Sequence, residues 1–308
     1  MIPHGILNLD KPKGSTSFRV VALVRKLSAV KKVGHAGTLD PLATGVLLVC
    51  LGQAARVSEY LMELPKTYLA DVRLGVATDT FDATGTPVSE GDAESVDDAS
   101  LRAALKTLES AEQQVPPVYS AVKIGGTPAH RLARAGRPVS LRPRAVRIER
   151  VDLLSFEPPL VGLEVRCGKG TYVRTLADDL GRLLGCGAHL TALRRTAVGP
   201  FIADEAVSLG RLEGAFADGT WRELLLPLDY GLGHLPAAYL EMEAEKDVRH
   251  GCALEAGTAP FERLRDAPEG QLCRAYAEDG SFVGILQYEG DSRLWKPRKV
   301  FISTIQAE

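Results

Sequence analysis

The order of predicted strands and helices is the feature that most constrains the fold. Residues 5–235 contain both kinds of segment, but not in the strict strand–helix–strand alternation that produces an all-parallel sheet. Strand patterns lie at 4–14, 45–52, 66–75, 116–126, 145–155 and 160–167, and helical patterns lie at 15–30, 53–64, 97–110 and 172–184. We therefore predict an α+β fold with a mixed, largely antiparallel sheet flanked by helices.

The pattern changes near residue 236, after which short strands and turns replace the mixture of strands and helices. Asp279-Gly280 separates two strand-like runs there, which is a strong indication of a hairpin. The sequence thus predicts two domains, a large one at 1–235 and a small all-β one at 236–308.

Composition indicates an ordinary globular protein, with 45% hydrophobic and 25% charged residues in a chain of 308. The first residues lack the apolar core of a signal peptide, and the longest apolar run, 46–51, is too short to span a bilayer. We therefore expect a cytoplasmic protein without a membrane partner.

The five cysteines are at least nineteen positions apart and show no zinc-ligand spacing, so we expect them to be reduced and mostly buried. The chain also lacks a phosphate-binding Walker loop, the HExxH motif of zinc proteases and the GxSxG motif of serine hydrolases. These observations predict no metal site and no cofactor.

A basic segment spans residues 123–150. It carries eight basic residues and one acidic residue, a charge of +7, whereas the whole chain has a net charge of −2 and the remainder therefore −9. Seven of the eight are arginines, whose planar guanidinium suits phosphate groups. Nucleic acid is the polyanion that such a segment would bind, and a merely solvated charged face is the alternative.

The stretch GHAGTLDPLATG, at 34–45, places a single carboxylate, Asp40, among glycines and before a proline. Pro41 favours an extended backbone at Asp40, and Gly37 and Gly45 permit tight turns on either side. This setting suits a rigidly held nucleophile or base at the edge of a sheet. A turn in which Asp40 bonds only to neighbouring backbone N–H groups remains the other interpretation.

Five ordered blocks show a resemblance to one family. GHAGTLDPLATGVLLVCLG is similar to the signature of the tRNA pseudouridine-55 synthases, the TruB family, and four further blocks match its pattern in order. The four are LNLDKPKGSTS at 7–17, KTYLADVRLGVATDTFDATG at 66–85, QVPPVYSAVKIGG at 114–126 and CGKGTYVRTLADDLGRLLGCGAHLTALRRTAVGPF at 167–201. Together they cover most of residues 5–230.

The resemblance implies the pseudouridine synthase catalytic fold and isomerisation of a uridine in the T loop of tRNA, at position 55, without metal or cofactor. It implies that Asp40 is the catalytic nucleophile acting on a flipped-out nucleotide. It implies that Tyr68 stacks on the target base and takes the C5 proton, and that Arg174 pairs with Asp40. Such pairing would lower the pKa of Asp40 and keep it ionised.

The resemblance also implies substrate-binding roles. His35 would stabilise the opened RNA loop, and Lys11, Tyr119, Tyr172 and Leu193 would line the active site. The segment 123–150, with Arg142, Arg144 and Arg147, would be the RNA-gripping insertion of the family, called the thumb. His130 stands where family members often carry tyrosine.

The last 73 residues resemble the small PUA-type RNA-binding domain that reads the acceptor end of tRNA, with LWKPRKVFI as its basic edge. The expected partner is therefore tRNA, through its T arm and acceptor end, and no protein partner is implied.

Two other functions remain open at this point. One is an RNA-binding or tRNA-folding protein with a vestigial pocket. The other is a sugar-phosphate or glycosidic-bond hydrolase, which could also use one aspartate in a basic groove but would release free uracil.

Overall fold

The computed structural model describes residues 3–301, apart from the side chain of His130. The described residues up to 235 are called the large part of the chain, and most of its strands are short. They are β1 Gly5–Lys11, β2 Val33–His35, β3 Thr44–Leu51, β4 Lys66–Leu74, β5 Val76–Thr78, β6 Pro87–Glu90, β7 Gln113–Gln114, β8 Lys123–Ile124, β9 Thr127–Pro128, β10 Arg144–Ala145, β11 Ile148–Glu157, β12 Leu160–Cys167, β13 Ala188–Val198, β14 Phe201–Ile202 and β15 Val207–Ser208. The helices are α1 Ser17–Ser28, α2 Ser58–Glu63, α3 Asp98–Glu109, α4 Ala129–Arg134, α5 Val173–Leu183 and α6 Leu209–Asp218.

Nine of these strands form the central sheet, in the order β11-β12-β4-β13-β3-β1-β15, with β14 beside β13 and β2 beside β3. The pairs β1–β15 and β13–β3 are parallel, and the other pairs of this sheet are antiparallel. The predicted mixed, largely antiparallel sheet is therefore confirmed.

The burial of strand β3 on both faces explains why its sequence is an uninterrupted apolar run. Leu47, Val49 and Leu51 face the cluster that helices α1, α3, α5 and α6 cover, whereas Val46 and Leu48 face a second cluster on the other side of the sheet. A strand buried on both faces has no solvent-exposed side, so the period-two alternation disappears. Strand β4 keeps that alternation, with Tyr68, Ala70, Val72 and Leu74 buried on one face.

Side-chain caps fix the starts of helices α1 and α3. Thr16 caps α1 by accepting a hydrogen bond from Arg19 N at 3.1 Å, and Asp97 caps α3 by accepting one from Ser100 N at 2.7 Å. These caps supply partners for backbone N–H groups that a helix leaves unpaired at its start.

Three predicted elements differ from the structure. The predicted strand 116–126 is irregular up to residue 122 and contains only β8, because Pro116 and Pro117 have no N–H to donate to a ladder. The predicted helix 53–64 is divided into a 3₁₀ turn, Gly52–Arg56, and α2. The predicted helix 172–184 is one residue shorter at each end, Val173–Leu183, and Leu183 is about half exposed at its last turn.

The C-terminal part forms a five-stranded sheet in the order β16-β18-β19-β20-β17. Its strands are β16 Ala237–Leu240, β17 Leu254–Glu255, β18 Leu272–Ala277, β19 Phe282–Glu289 and β20 Leu294–Val300. Asp279-Gly280 forms the predicted hairpin turn between β18 and β19, with a φ of +80° at Gly280. One helix, α7 Met242–Arg249, was not predicted and packs beside this sheet.

The two sheets share a hydrophobic cluster. Ile285 and Phe301 from the C-terminal part pack with Ile6 and Leu48 from the large part. Arg56 adds a polar link, since its Nη1 donates to the carbonyl of Val300 at 2.6 Å.

All five cysteines are free, and four of them are buried, as predicted; Cys252 is exposed. Burial raises the pKa of Cys50 and of Cys273 to about 12, so these thiols stay protonated. Among residues 3–301, no helix combines the length and the hydropathy needed to cross a membrane.

Candidate active site

The loop between β2 and β3 holds Asp40 in a fixed backbone. Gly37 and Gly45 have φ values of +108° and +96°, which confirms the predicted tight turns. At Gly45 a Cβ would lie 2.2 Å from the carbonyl oxygen of Arg195, so no side chain fits there. Ser17 Oγ accepts from Leu39 N at 2.9 Å and donates to Leu39 O at 3.1 Å, which ties the loop to α1.

Asp40 forms an ion pair with Arg174. The Oδ2 atom of Asp40 lies 2.7 Å from Nε of Arg174, which is buried in the first turn of α5. Arg174 also donates from Nη1 to Thr80 O at 3.1 Å and from Nη2 to Tyr119 O at 3.2 Å. Two backbone carbonyls orient this guanidinium toward the carboxylate, and Arg174 is buried rather than exposed.

The environment raises the pKa of Asp40 overall. Burial is the largest cause; Arg174 lowers this pKa, and the nearby carboxylate of Asp82 raises it. The side chain of Asp40 nevertheless remains 35% exposed, so a ligand can reach it. The expected lowering by Arg174 is present, but burial outweighs it.

Asp82 is a site residue that the sequence analysis did not identify. It is 4% exposed, and its Oδ2 lies 3.5 Å from Nη1 of Arg174. Its Oδ1 accepts from Thr80 Oγ1 and Thr84 N, each at 2.9 Å, and from Thr84 Oγ1 at 2.5 Å. Arg174 therefore lies between two carboxylates. Thr80 and Thr84, two positions before and after Asp82, are the sequence signal that could have revealed this buried turn.

Tyr68 lies on β4 beside a second buried guanidinium. Its neighbour across the strand pair is Arg195 on β13, which is 1% exposed. Burial raises the pKa of Tyr68, and the charge of Arg195 opposes that shift. The net rise keeps the phenol protonated near neutral pH.

Arg195 also holds the loop that carries Asp40. Its Nε donates to the carbonyl of Val46 at 2.7 Å, and its Nη2 donates to the carbonyl of Gly37 at 3.1 Å. Within residues 3–301 no carboxylate forms an ion pair with it. The sequence analysis did not identify Arg195, because an arginine in a strand ordinarily points to solvent.

Lys11 and Leu193 lie close to this centre. Lys11 is buried at the end of β1, and its Nζ donates to the carbonyls of Pro12 and Ser15 at 2.9 and 2.8 Å. Burial lowers the pKa of Lys11 to about 8, although Asp40 partly opposes the shift. Leu193 is 8% exposed on β13 and pairs with Ala70 of β4.

His35 ends β2, the strand that leads into the Asp40 loop. Burial and the charge of Arg195 both lower its pKa, so the imidazole is neutral at pH 7. Among the atoms of residues 3–301, Nδ1 of His35 has no hydrogen-bond partner.

Tyr172 connects the site to the basic segment. Tyr172 N donates to Gln114 Oε1 at 2.8 Å, and Gln114 Nε2 donates to Tyr172 O at 3.1 Å. Arg144 on β10 pairs in register with Gln114 on β7. Burial raises the pKa of Tyr172, whereas a hydrogen bond with Ser120 and the charges of Arg174 and Arg144 lower it.

The structure therefore brings Arg144 to the edge of the site, but not the other two selected arginines. Arg142 and Arg147 are exposed, and within residues 3–301 neither forms a hydrogen bond or ion pair with Asp40 or Arg174. Arg147 lies 3.6 Å from Glu149. His130 belongs to α4, but its side chain lies outside the described part of the structure.

The assembled groups suit covalent or acid–base chemistry on a flat ligand. They are the reachable carboxylate of Asp40, the guanidinium of Arg174 paired with it, the buried phenol of Tyr68 and the apolar side chain of Leu193. Across residues 3–301 no group of three or more His, Cys, Asp or Glu side chains is placed to hold a metal ion.

Comparison with known proteins identifies the family. Residues 25–173 match the N-terminal domain of "TruB family pseudouridylate synthase", and residues 174–233 match the "tRNA pseudouridylate synthase B C-terminal domain". Proteins named tRNA pseudouridine synthase B are 43% identical in Pseudomonas aeruginosa, over 97% of this chain and 96% of that protein, and 44% identical in Aromatoleum aromaticum, over 99% and 94%.

Solved structures agree. A chain of a Cbf5-Nop10-Gar1 complex superposes with a TM-score of 0.75 at 29% identity, over 97% of this chain and 85% of that one. A chain of an H/ACA RNP bound to a substrate RNA containing 2'-deoxyuridine gives 0.72 at 25% identity, over 98% and 86%. The small C-terminal sheet is consistent with a PUA-like domain. The chain therefore belongs to the TruB family of pseudouridylate synthases, which are isomerases.

Proposed function

We propose that this chain isomerises uridine 55 in the T loop of tRNA to pseudouridine, with Asp40 as the nucleophile. The observation that carries this proposal is the reachable Asp40 carboxylate, held on a rigid loop 2.7 Å from the buried guanidinium of Arg174. The names of the relatives support tRNA as the substrate.

The reaction is an internal rearrangement. The bond between N1 of uracil and C1′ of the ribose breaks, the base turns, and a bond forms between C5 and C1′; the proton on C5 is lost and N1 ends protonated. Ionised Asp40 can attack the sugar, attack the base or assist loss of the base. Arg174 favours the ionised carboxylate, which each of these paths requires.

Tyr68 and Leu193 would enclose the flipped base. Both side chains belong to the hydrophobic core on one face of the central sheet. They come from the neighbouring strands β4 and β13. The ring of Tyr68 would stack on uracil, and its phenolate would take the C5 proton, which converts the phenolate to the phenol. Burial raises the pKa of Tyr68, and the charge of Arg195 opposes this rise and so favours the phenolate.

The remaining predicted residues would hold the RNA open. Extruding a nucleotide costs on the order of a few kcal/mol, and a neutral imidazole at His35 could offset part of this by stacking. Lys11, Tyr119 and Tyr172 would line the space around the base. Arg144 lies at the edge of that space, where a phosphate of the substrate could pass.

We further propose that the chain divides into a catalytic domain, 1–235, and a PUA-like domain, 236–308. In this proposal the segment 123–150, with Arg142, Arg144 and Arg147, grips the T arm. The C-terminal sheet contacts the acceptor end.

The deciding experiment is incubation of the protein with an unmodified tRNA transcript, followed by digestion and nucleoside analysis. We expect one pseudouridine, at position 55, and no free uracil. Release of uracil would support the hydrolase instead. Tight binding without any change of the nucleosides would support the RNA-binding protein with a vestigial pocket.

A further inference from the structure

A second basic surface flanks the Asp40 loop. Residues 11–39 contain seven basic residues and no aspartate or glutamate. Lys11 is buried, and the other six are exposed: Lys13, Arg19, Arg25, Lys26, Lys31 and Lys32. These six residues and Phe18 are called the α1 surface below.

The charge of the α1 surface is not neutralised by any ion pair in the part of the chain that the structure describes. Among residues 3–301, none of its six exposed basic side chains forms an ion pair. In the segment 123–150, by contrast, Arg147 and Arg150 lie near Glu149 and Asp152, at 3.6 and 2.5 Å. An unpaired cluster of cations is the surface to which a polyanion is drawn most strongly.

An aromatic side chain projects from this surface. Phe18, in the first turn of α1, is 70% exposed, although its neighbours Ser17 and Val20 are buried. Exposing a phenyl ring contributes nothing to folding. Beside cations, such a ring offers a base of single-stranded nucleic acid a stacking platform.

Two sets of hydrogen bonds place the α1 surface beside Asp40. Gly14 N donates to the carbonyl of Pro41 at 2.7 Å, and Ser17 Oγ bonds to both backbone groups of Leu39. The residues on either side of Asp40 are thus attached to the segment that carries Lys13, Phe18 and Arg19. Arg144 and Tyr172 approach Asp40 from a different part of the chain.

We infer that the α1 surface binds the RNA strand next to the flipped nucleotide: Phe18 stacks on an unpaired base, and Lys13 and Arg19 contact neighbouring phosphates. This inference rests on the proposed function, because it takes the RNA to be positioned by the nucleotide at Asp40. The RNA would then be held on both sides of the nucleophile, by the α1 surface and by the segment 123–150.

The test is equilibrium binding of an unmodified tRNA transcript over a salt series. Phe18→Ala should weaken binding about tenfold, equivalent to about 1.4 kcal/mol, without changing the slope of log K against log salt. Phe18→Trp should bind like the wild type. The double variant Lys13→Ala/Arg19→Ala should flatten the slope by about 1.4 to 1.8, since each phosphate contact contributes roughly 0.7 to 0.9.

Matched controls separate local contacts from general surface effects. Leu154→Ala removes another exposed apolar side chain, from β11, and Lys106→Ala removes an exposed cation from α3. Both should bind like the wild type, and all variants should keep the wild-type unfolding temperature.

Normal affinity in Phe18→Ala, or an equal loss in Leu154→Ala, would overturn the inference, as would an unchanged slope in the double variant. These outcomes are distinct from failure of the proposed function, which shows as absence of pseudouridine in the product of the wild-type protein.

Discussion

At the residue scale, the proposed chemistry depends on the carboxylate of Asp40. The loop that carries it is held in place by hydrogen bonds to its backbone. We predict that Asp40→Asn abolishes pseudouridine formation but leaves tRNA affinity within about tenfold, a difference of about 1.4 kcal/mol. Asparagine keeps the shape of the side chain and removes the charge of the nucleophile. Single-turnover nucleoside analysis and equilibrium binding measure the two effects separately.

Asp71→Asn is the control for this prediction, because Asp71 is exposed on the polar face of β4. It should leave both rate and affinity unchanged. Substantial activity in Asp40→Asn would show that another group is the nucleophile.

Arg174 allows a prediction about pH, since its charge lowers the pKa of Asp40 while burial raises it. Removing the guanidinium removes the lowering contribution, so Arg174→Ala should shift the acid limb of the pH–rate profile to higher pH. Asp82 raises the pKa of Asp40 and Lys11 lowers it, and both residues remain in the variant. The measurement is the single-turnover rate as a function of pH at saturating tRNA.

Arg174→Lys keeps a positive charge near Asp40 and should shift the acid limb less than Arg174→Ala. This ordering separates an electrostatic role from simple loss of packing. An acid limb that stays in place in both variants would mean that it reports another group.

At the element scale, the sequence predicted best those features that local chemistry determines. Glycine and proline define the Asp40 loop, and alternation defines β4, so both were predicted correctly. Pro116 and Pro117 have no N–H to donate to a ladder, so most of the strand predicted at 116–126 is irregular.

Buried charges were beyond such local reasoning. Arg195 is stabilised by the carbonyls of Gly37 and Val46, which are distant in sequence. Asp82 accepts hydrogen bonds from its sequence neighbours Thr80 and Thr84, but its cationic partner, Arg174, is also distant. Charged residues are ordinarily exposed, so a pattern of apolar positions gives no reason to place them inside. Arg174 was identified only through the family resemblance.

The segment 123–150 is the element for which we make a quantitative prediction. Replacing Arg142, Arg144 and Arg147 with alanine should flatten the salt dependence of tRNA binding by up to about two to three units, since each phosphate contact contributes roughly 0.7 to 0.9. All three side chains are exposed and available to RNA. The loss should be similar for every RNA sequence, because phosphates carry no sequence information.

Activity at saturating tRNA should survive in this triple variant, because Asp40 and Arg174 are unchanged. A matched triple variant at exposed basic positions of other elements, such as Arg73, Arg102 and Lys106, should keep the wild-type slope. Identical slopes for both variants would show that the segment is an exposed charged face without a role in recognition.

At the scale of the whole molecule, strand β19 of the C-terminal sheet faces the large part with one side chain and the interior of the C-terminal part with the next. In β19, Ile285 packs into the cluster that contains Ile6, Leu48 and Leu61 of the large part, whereas Leu286 packs with residues of the C-terminal part alone. Both side chains are completely buried. They form a matched pair, equal in size and opposite in the direction they face.

We predict that Ile285→Ala and Leu286→Ala each lower the free energy of unfolding, by about 2–5 kcal/mol, as is usual when a large apolar side chain is removed from a core. Their local effects should differ. Ile285→Ala should increase amide hydrogen exchange in residues 52–63, the 3₁₀ turn and α2, because Leu61 belongs to the cluster from which Ile285 is removed. Leu286→Ala should leave exchange there unchanged. Equal protection of residues 52–63 in both variants would contradict the view that this cluster couples the small sheet to the catalytic part of the molecule.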